Sequence, residues 1–432
     1  MKGNFQIIIL IVFIIAAVLG VFVFSGAIPL GKNSSNNGAQ GSVTLWGTVK
    51  SEDIASLLDD FNRNNTSFSI KYVEKSPDTF DSDLLEALAS GTGPDMFFIS
   101  DDLVYKYSNK IYTIPYASFP LNTFKNNFVG AGEVFLTSKG VLALPLTVDP
   151  LMMYYNRSML DGAGVAYPPV YWDQFAGLIP LLDKKDSSGT LTKSTVAIGQ
   201  FSNVSHAKDI LTTLFMQAGN PIISEKSGSF SSVLNENSGG YDLSSILKFY
   251  TDFADPLNSN YSWNKSFSSS RDAFSAENLA FYFGFASELQ SLINRNPNQN
   301  FLVAPMPQVR NSNFKLTSAN VMGVAVSSFS KNLNTAFTAA GLLANGDFAA
   351  KLASVLNIAP ARRDLLKTVP TTDAYLPTFY SSAFFARSWL DPSPKDTDDI
   401  FRGMVEKVLS NSMSPSQAVN DAGAKLGLLL VK

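Results

Sequence analysis

Three carboxylates stand where they could do chemistry. Asp101 and Asp102 follow the apolar stretch Met96–Ile99, and Asp149 follows Leu144–Pro145. Carboxylates accept hydrogen bonds from hydroxyls, and aromatic faces pack on the apolar faces of sugar rings. The candidate rings are Trp46, Phe285 and Trp263, the last in the polar loop SNYSWNKS, where no core is evident for it to fill. Thr48 and Ser100 follow short apolar stretches, and Gly284 ends another, where a backbone amide could meet a ligand. Each has a plainer reading. Asp149 precedes a proline, as turn-forming acids often do. One of Asp101 and Asp102 could cap a helix while the other faces the ligand. Trp46 could fill a core.

Two carboxylates ~5–10 Å apart across a glycosidic bond could also hydrolyse it. No hydrolytic motif surrounds these acids, however, and the chain has no G-x-S-x-G elbow, Walker loop or H-E-x-x-H. With no cysteine and a single histidine, His206, thiolate and His-rich metal sites are excluded. His206 reads most simply as a surface or capping residue. Catalysis is therefore not expected, and no cofactor is implied. Acids converging with aromatics would also suit a polyamine, a short peptide is a further alternative solute, and the phenols of Tyr154 and Tyr155 would suit ferric iron.

The elements that must position these residues follow from the pattern. A chain of 432 residues divides naturally into two lobes. Net charge is −3 without a long basic run, which argues against a nucleic-acid partner. Phe5 to Phe24 is almost wholly apolar, longer than the ~7–15 residues of a usual signal core. That favours an N-terminal transmembrane helix within 1–30, with the rest of the chain outside the cell. Ser25-Gly26-Ala27 has the form of a cleavage site, which would make the protein secreted instead. Residues 31–42 have linker composition.

Val43–Trp46, Phe68–Val73 and Met96–Ile99 read as strands. Ile54, Leu57, Leu58 and Phe61 recur at helical spacing after Ser51, Glu52 and Asp53, and Leu84, Leu85 and Leu88 mark a second helix. This alternation predicts a parallel sheet whose ligands sit beyond the strand ends. Leu144–Pro145 would close a short strand, with Asp149 in the turn that first crosses between lobes. A second α/β unit follows, with a strand over Thr195–Gly199, helices around Ile210–Ala218 and Leu243–Phe253, and a buried strand over Leu279–Phe283. Phe301–Gln308 is the expected return crossing.

The order of these features resembles the extracellular solute-binding proteins of ABC importers, in their sugar-binding, maltose-binding-protein-like branch. The resemblance rests on L-P-x-x-x-D before Y-Y-N (Leu144 to Asn156), G-x-G-P-D before an apolar strand (Gly91 to Ile99), and Pro168 to Phe175. It also rests on Ser330-Lys331-Asn332 before Ala336-Phe337, and on Pro360-Ala361-Arg362. It covers residues 43–432, departing at Tyr171 and Gln174, where the family has a capping hydroxyl residue and Glu. It implies a periplasmic-binding-protein-like α/β fold with about three crossings. The first lobe would hold 43–148 and 306–357, and the second 149–305 and 358–432. It implies a monomer that binds a sugar or oligosaccharide and passes it to an ABC permease. It adds Asn320 and Arg362 to the expected contacts and supports a stacking role for Trp263.

Overall fold

The computed structural model describes residues 39–226, 228–236, 241–312 and 314–431. The expected anchor over 1–30, and the linker up to residue 38, lie outside them. Among the described residues no helix is long and apolar enough to cross a membrane.

The first unit comprises β1 (Gly41–Gly47), α1 (Ser51–Asn64), β2 (Phe68–Glu74), α2 (Phe80–Ser90) and β3 (Met96–Ser100), with the strands parallel. α1 buries Ile54, Leu57 and Leu58, one stripe of the helix. Its cap is not the Ser51 side chain. Glu74, at the end of β2, accepts from the Ser51 N–H at 2.7 Å, so the strand supplies the anion that the helix start favours. α2 stops at Gly91, whose φ of 73° is left-handed.

Then comes β4 (Ala143–Asn156), and here the expectation fails. Asp149 is not in a turn, because the extended backbone runs 14 residues through both Pro145 and Pro150. The remaining main strands are β5 (Leu191–Val196), β6 (Leu279–Phe285), β7 (Phe301–Pro305), β8 (Thr317–Val326) and β9 (Ala359–Pro360). Proline offers no N–H to a ladder. Beside Pro145 the ladder slips: Gly323 of β8 faces Pro145 while Met322 faces Thr147. That irregularity lets one strand continue where a proline would otherwise end it.

β4 lies at the centre of an 11-stranded sheet whose main order is β2-β1-β3-β8-β4-β6-β5, with β7 and β9 also paired to β4. Its first half lends Leu144, Leu146 and Val148 to one hydrophobic core, which also holds Leu45, Ile70 and Phe97. Its second half lends Leu151 to Tyr155 to another, with Phe281 and Phe301. Helices α3 (Phe175–Leu182), α4 (Ala207–Gln217), α5 (Leu243–Asp252) and α6 (Ser270–Ser275) belong to this second body. Before α3, Gln174 accepts from the N–H groups of Val170 and Tyr171, so glutamine does the capping work expected of glutamate.

The last crossing falls later than residue 358. β9 pairs with Thr147 and Val148, on the first-core half of β4. Ala359, Ala361, Leu366, Tyr380 and Ala383 accordingly fill the first core. Phe379 and the final helices α7 (Pro394–Leu409) and α8 (Pro415–Leu429) pack on the second.

Trp263 is fully buried in that second core. Its ring stacks on Phe267 at 4.5 Å and 9°, and its indole N–H donates to Asn203 at 3.0 Å. The polar loop around it folds over the ring, which is why composition misplaced it. Trp263→Ala should lower the unfolding free energy by about 3–5 kcal/mol in urea titrations. A loss below about 1 kcal/mol would mean the ring is not core.

Candidate functional site

A cavity of about 420 Å³ opens where the ends of β1 and β3 meet β4 and β8. Thr48, Asp81, Ser100, Asp102, Thr147, Asp149 and Asn320 supply its polar lining, and its apolar lining includes Phe98, Met322 and Ile358. Thr48 follows β1 and Ser100 ends β3, so both stand at the carboxyl ends of parallel strands, where ligands of such sheets bind. Asp149 and Asn320 are direct cross-strand partners. Thr147 lies two residues from Asp149 and shares its face of β4 by strand alternation.

Asp149 is partly buried, and its Oδ1 accepts from the Ser287 N–H at 2.9 Å, joining β4 to the turn after β6. Burial pushes its pKa up to about 6. The Ser287 bonds and the His206 charge oppose that rise, and Glu288 adds to it. Asp102 accepts from the Ser100 hydroxyl. Burial raises its pKa as well, with Asp391 adding to the shift and Lys208 opposing it.

Asp101 faces the other way. One oxygen accepts from the Val321 N–H at 2.9 Å and the other from the Ser388 hydroxyl, so it ties β8 and the later chain to the end of β3. Burial, then the charge of Asp102, hold its pKa up. The adjacent pair thus divides as one inward and one outward acid, and Asp102 is the one that lines the cavity.

Thr48, Ser100, Asp149 and Asn320 are the expected residues brought together. The others stand apart. Trp46 is half-buried with the Lys75 ammonium 4.0 Å from its ring centroid. Trp263 is in the second core. Arg362 pairs with its near neighbour Asp364 at 2.8 Å, bracing its own turn. Gly284 is a packing position, since a Cβ there would lie 2.5 Å from the Tyr282 ring. Phe285 is buried, its ring edge-on to His206 at 4.8 Å. His206 lines a second opening of about 480 Å³ with Lys208, Asp209 and Arg402. Thr147 was within reach of sequence reasoning had the strand been carried through Pro145. Met322 and Ile358 had no local signal, because only tertiary packing brings them to the cavity.

Tyr154 and Tyr155 do not form an iron site. Neighbouring strand residues point to opposite faces. The Tyr154 hydroxyl is buried, donates to the Phe285 carbonyl at 2.9 Å, and is held protonated because burial drives its pKa well upward. Among the described residues no group of three acidic or histidine side chains could hold a metal ion.

Two cores joined by shared strands, with acids and an amide at the junction, define a two-lobed α/β binding protein. The family model for bacterial extracellular solute-binding proteins matches residues 48–346. The chain belongs to that family, whose members are binding proteins. The cyclic alpha-maltosyl-1,6-maltose binding protein from Arthrobacter globiformis has a similar fold, with TM-score 0.73, 15% identity, and 90% of this chain and 98% of that chain covered. The sugar-binding protein MalE from Xanthomonas citri gives TM-score 0.71, 16% identity, and coverage of 90% and 97%. A cyclo/maltodextrin-binding protein complexed with maltotetraose gives TM-score 0.71, 15% identity, and coverage of 91% and 98%. No curated protein matches the chain in sequence.

The raised pKa of Asp149 carries a stability consequence. Unfolded, the group ionises near ~3.9; folded, near about 6. Below both values it is neutral in both states and costs nothing. Above both, the folded state bears the full cost of the charge. Asp149→Asn should therefore gain about 1–3 kcal/mol over the parent chain at pH 8, a gain that fades below pH 4. Urea unfolding at the two pH values checks this, and an equal difference at both would show that burial of the charge is not responsible.

Proposed function

We propose that the protein binds a sugar or oligosaccharide outside the cytoplasm and delivers it to an ABC permease. The observation that carries this reading is the cavity, where three carboxylates, an amide and three hydroxyls surround an apolar wall. Such a lining suits a ligand with many hydroxyls on an apolar ring. In this reading Thr48, Ser100, Asp102, Thr147, Asp149 and Asn320 contact the ligand. The first lobe closes on the second about β4, β8 and the chain around β9. Closure requires the ligand to bind the closed form more tightly than the open one. The protein acts as a monomer, without turnover, held at the membrane by its N-terminal segment. The structural neighbours, among them one complexed with maltotetraose, support a carbohydrate as the ligand class.

A second reading has its own support. The charged residues lining the cavity, Asp81, Asp102 and Asp149, are all acids. A polyamine would suit them.

A thermal-shift screen with neutral mono- and oligosaccharides, polyamines and peptides separates the two. A ligand at ~100 times its dissociation constant adds about 2.7 kcal/mol to the folded state. The expected hit is a sugar, and a hit with polyamines alone would overturn the ligand class. With the sugar in hand, Asp102→Ala and Asp149→Ala should each weaken binding at least about tenfold in calorimetric titrations, as losing a hydrogen bond to a charged group does. Asp101→Ala should act chiefly on stability.

A further inference from the structure

His206 is the sole histidine of the chain, and the structure gives it more than a capping role. It precedes α4 in the left-handed region, at φ 59° and ψ 29°, without using its side chain as a cap. A non-glycine residue stays there only when its surroundings hold it. Its ring meets Phe285 edge-on, and its Nε2 lies 2.6 Å from Glu288 Oε1. Glu288 is mostly buried and is shared four ways. Apart from this charge contact, it accepts from the Phe285 N–H at 2.9 Å and the Tyr282 hydroxyl at 2.7 Å, and it lies 3.2 Å from Arg271. The turn that it clamps, 285–287, is the one whose Ser287 N–H reaches Asp149.

We propose that protonated His206 is a positioning residue for the cleft. It holds Glu288, Glu288 fixes the 285–287 turn, and the turn presents the Ser287 N–H to the hinge acid Asp149. Ligand affinity would then depend on the charge of His206, a consequence that rests on the solute-binding reading above.

The groups facing His206 come from several elements. Asp209 Oδ2, on α4 itself, lies 3.9 Å from Nδ1. Glu288 faces it from the turn after β6. Arg271 acts on it from α6, and the charge of His206 is in turn felt at Asp149 on β4. Lys208 is two residues on in sequence, but its ammonium is turned to Asp391 at 2.9 Å. Burial by itself would lower the imidazole pKa, and Arg271 works in the same direction. Glu288 and Asp209 outweigh both and raise it above the ordinary value. The cation therefore persists to higher pH than an ordinary imidazolium and is lost as pH rises through the raised midpoint. Once it is lost, Glu288 and Asp209 keep their charges without that partner.

A lone imidazole is unambiguous in a nuclear magnetic resonance titration of the full chain. In the parent protein the Ser287 amide should shift with the same midpoint as the His206 ring. His206→Asn tolerates the left-handed backbone and removes the charge, and it should abolish that step. Glu288→Gln should lower the ring's midpoint. A Ser287 amide that ignores the ring, or a step that survives in His206→Asn, overturns the proposal whether or not any ligand is known. With a bound sugar, affinity should fall about fivefold as pH rises through the midpoint read from the ring in the parent, and stay flat over that range in His206→Asn. An alkaline loss that persists in the variant, or is absent from the parent, also overturns it. If no sugar binds, the carbohydrate reading fails, while the amide titration still decides the role of His206.

Discussion

Between Val148 and Leu151 the chain leaves one hydrophobic core and joins another while remaining extended. The backbone hydrogen bonds of β4 are shared with β8 and β9 on the first side and with β6 and β7 on the second. Removing this strand would unpair both halves of the sheet. Because a strand resists stretching yet twists readily, the junction can change the angle between the cores without breaking either. Asp149 sits at that junction, and what it touches answers to the geometry of both bodies.

The same constraint explains why the site is polar where the sheet is otherwise apolar. The crossing exposes a short run of strand faces that neither core covers. Asp149 and Asn320 face each other there, and Thr147 follows by alternation. Keeping carboxylates half out of water raises their pKa, which costs stability in the empty protein. A ligand that donates hydrogen bonds to them relieves part of that cost. Sites that bind well are often poorly solvated when empty for this reason.

The opposite wall shows how a chain with few charges uses them. His206, Glu288, Arg271 and Tyr282 form one partly buried set, and Lys208, Asp391 and Thr397 another. Each set pins a loop that ends near the cleft. Buried charges are tolerable only when paired and hydrogen-bonded. Here the pairing also reaches across the cleft, because Lys208 acts on Asp102 and His206 on Asp149.

The sequence by itself determined the strands and helices of the first unit, the alternation that makes the sheet parallel there, and the family. Periodicity in Ile54, Leu57 and Leu58, and punctuation at Gly91, are local signals that local physics obeys. Thr48, Ser100 and Asp149 could be singled out as candidates by strand ends and a hinge motif, and Asn320 by the family resemblance; the fold brings the four to one cavity. Tertiary structure decided the rest. A bulge in β4 beside Pro145 carried the strand past that proline, and the ladder runs on in regular register at Pro150, which no local rule anticipates. The choice between Asp101 and Asp102 fell to the Val321 N–H, 220 residues away in the chain. Trp263 went into the core because its polar loop folds over it. Met322 and Ile358 came to the cavity by packing alone. In each case the deciding partner is distant in sequence, so its effect is written in the assembled fold and not in the neighbouring residues.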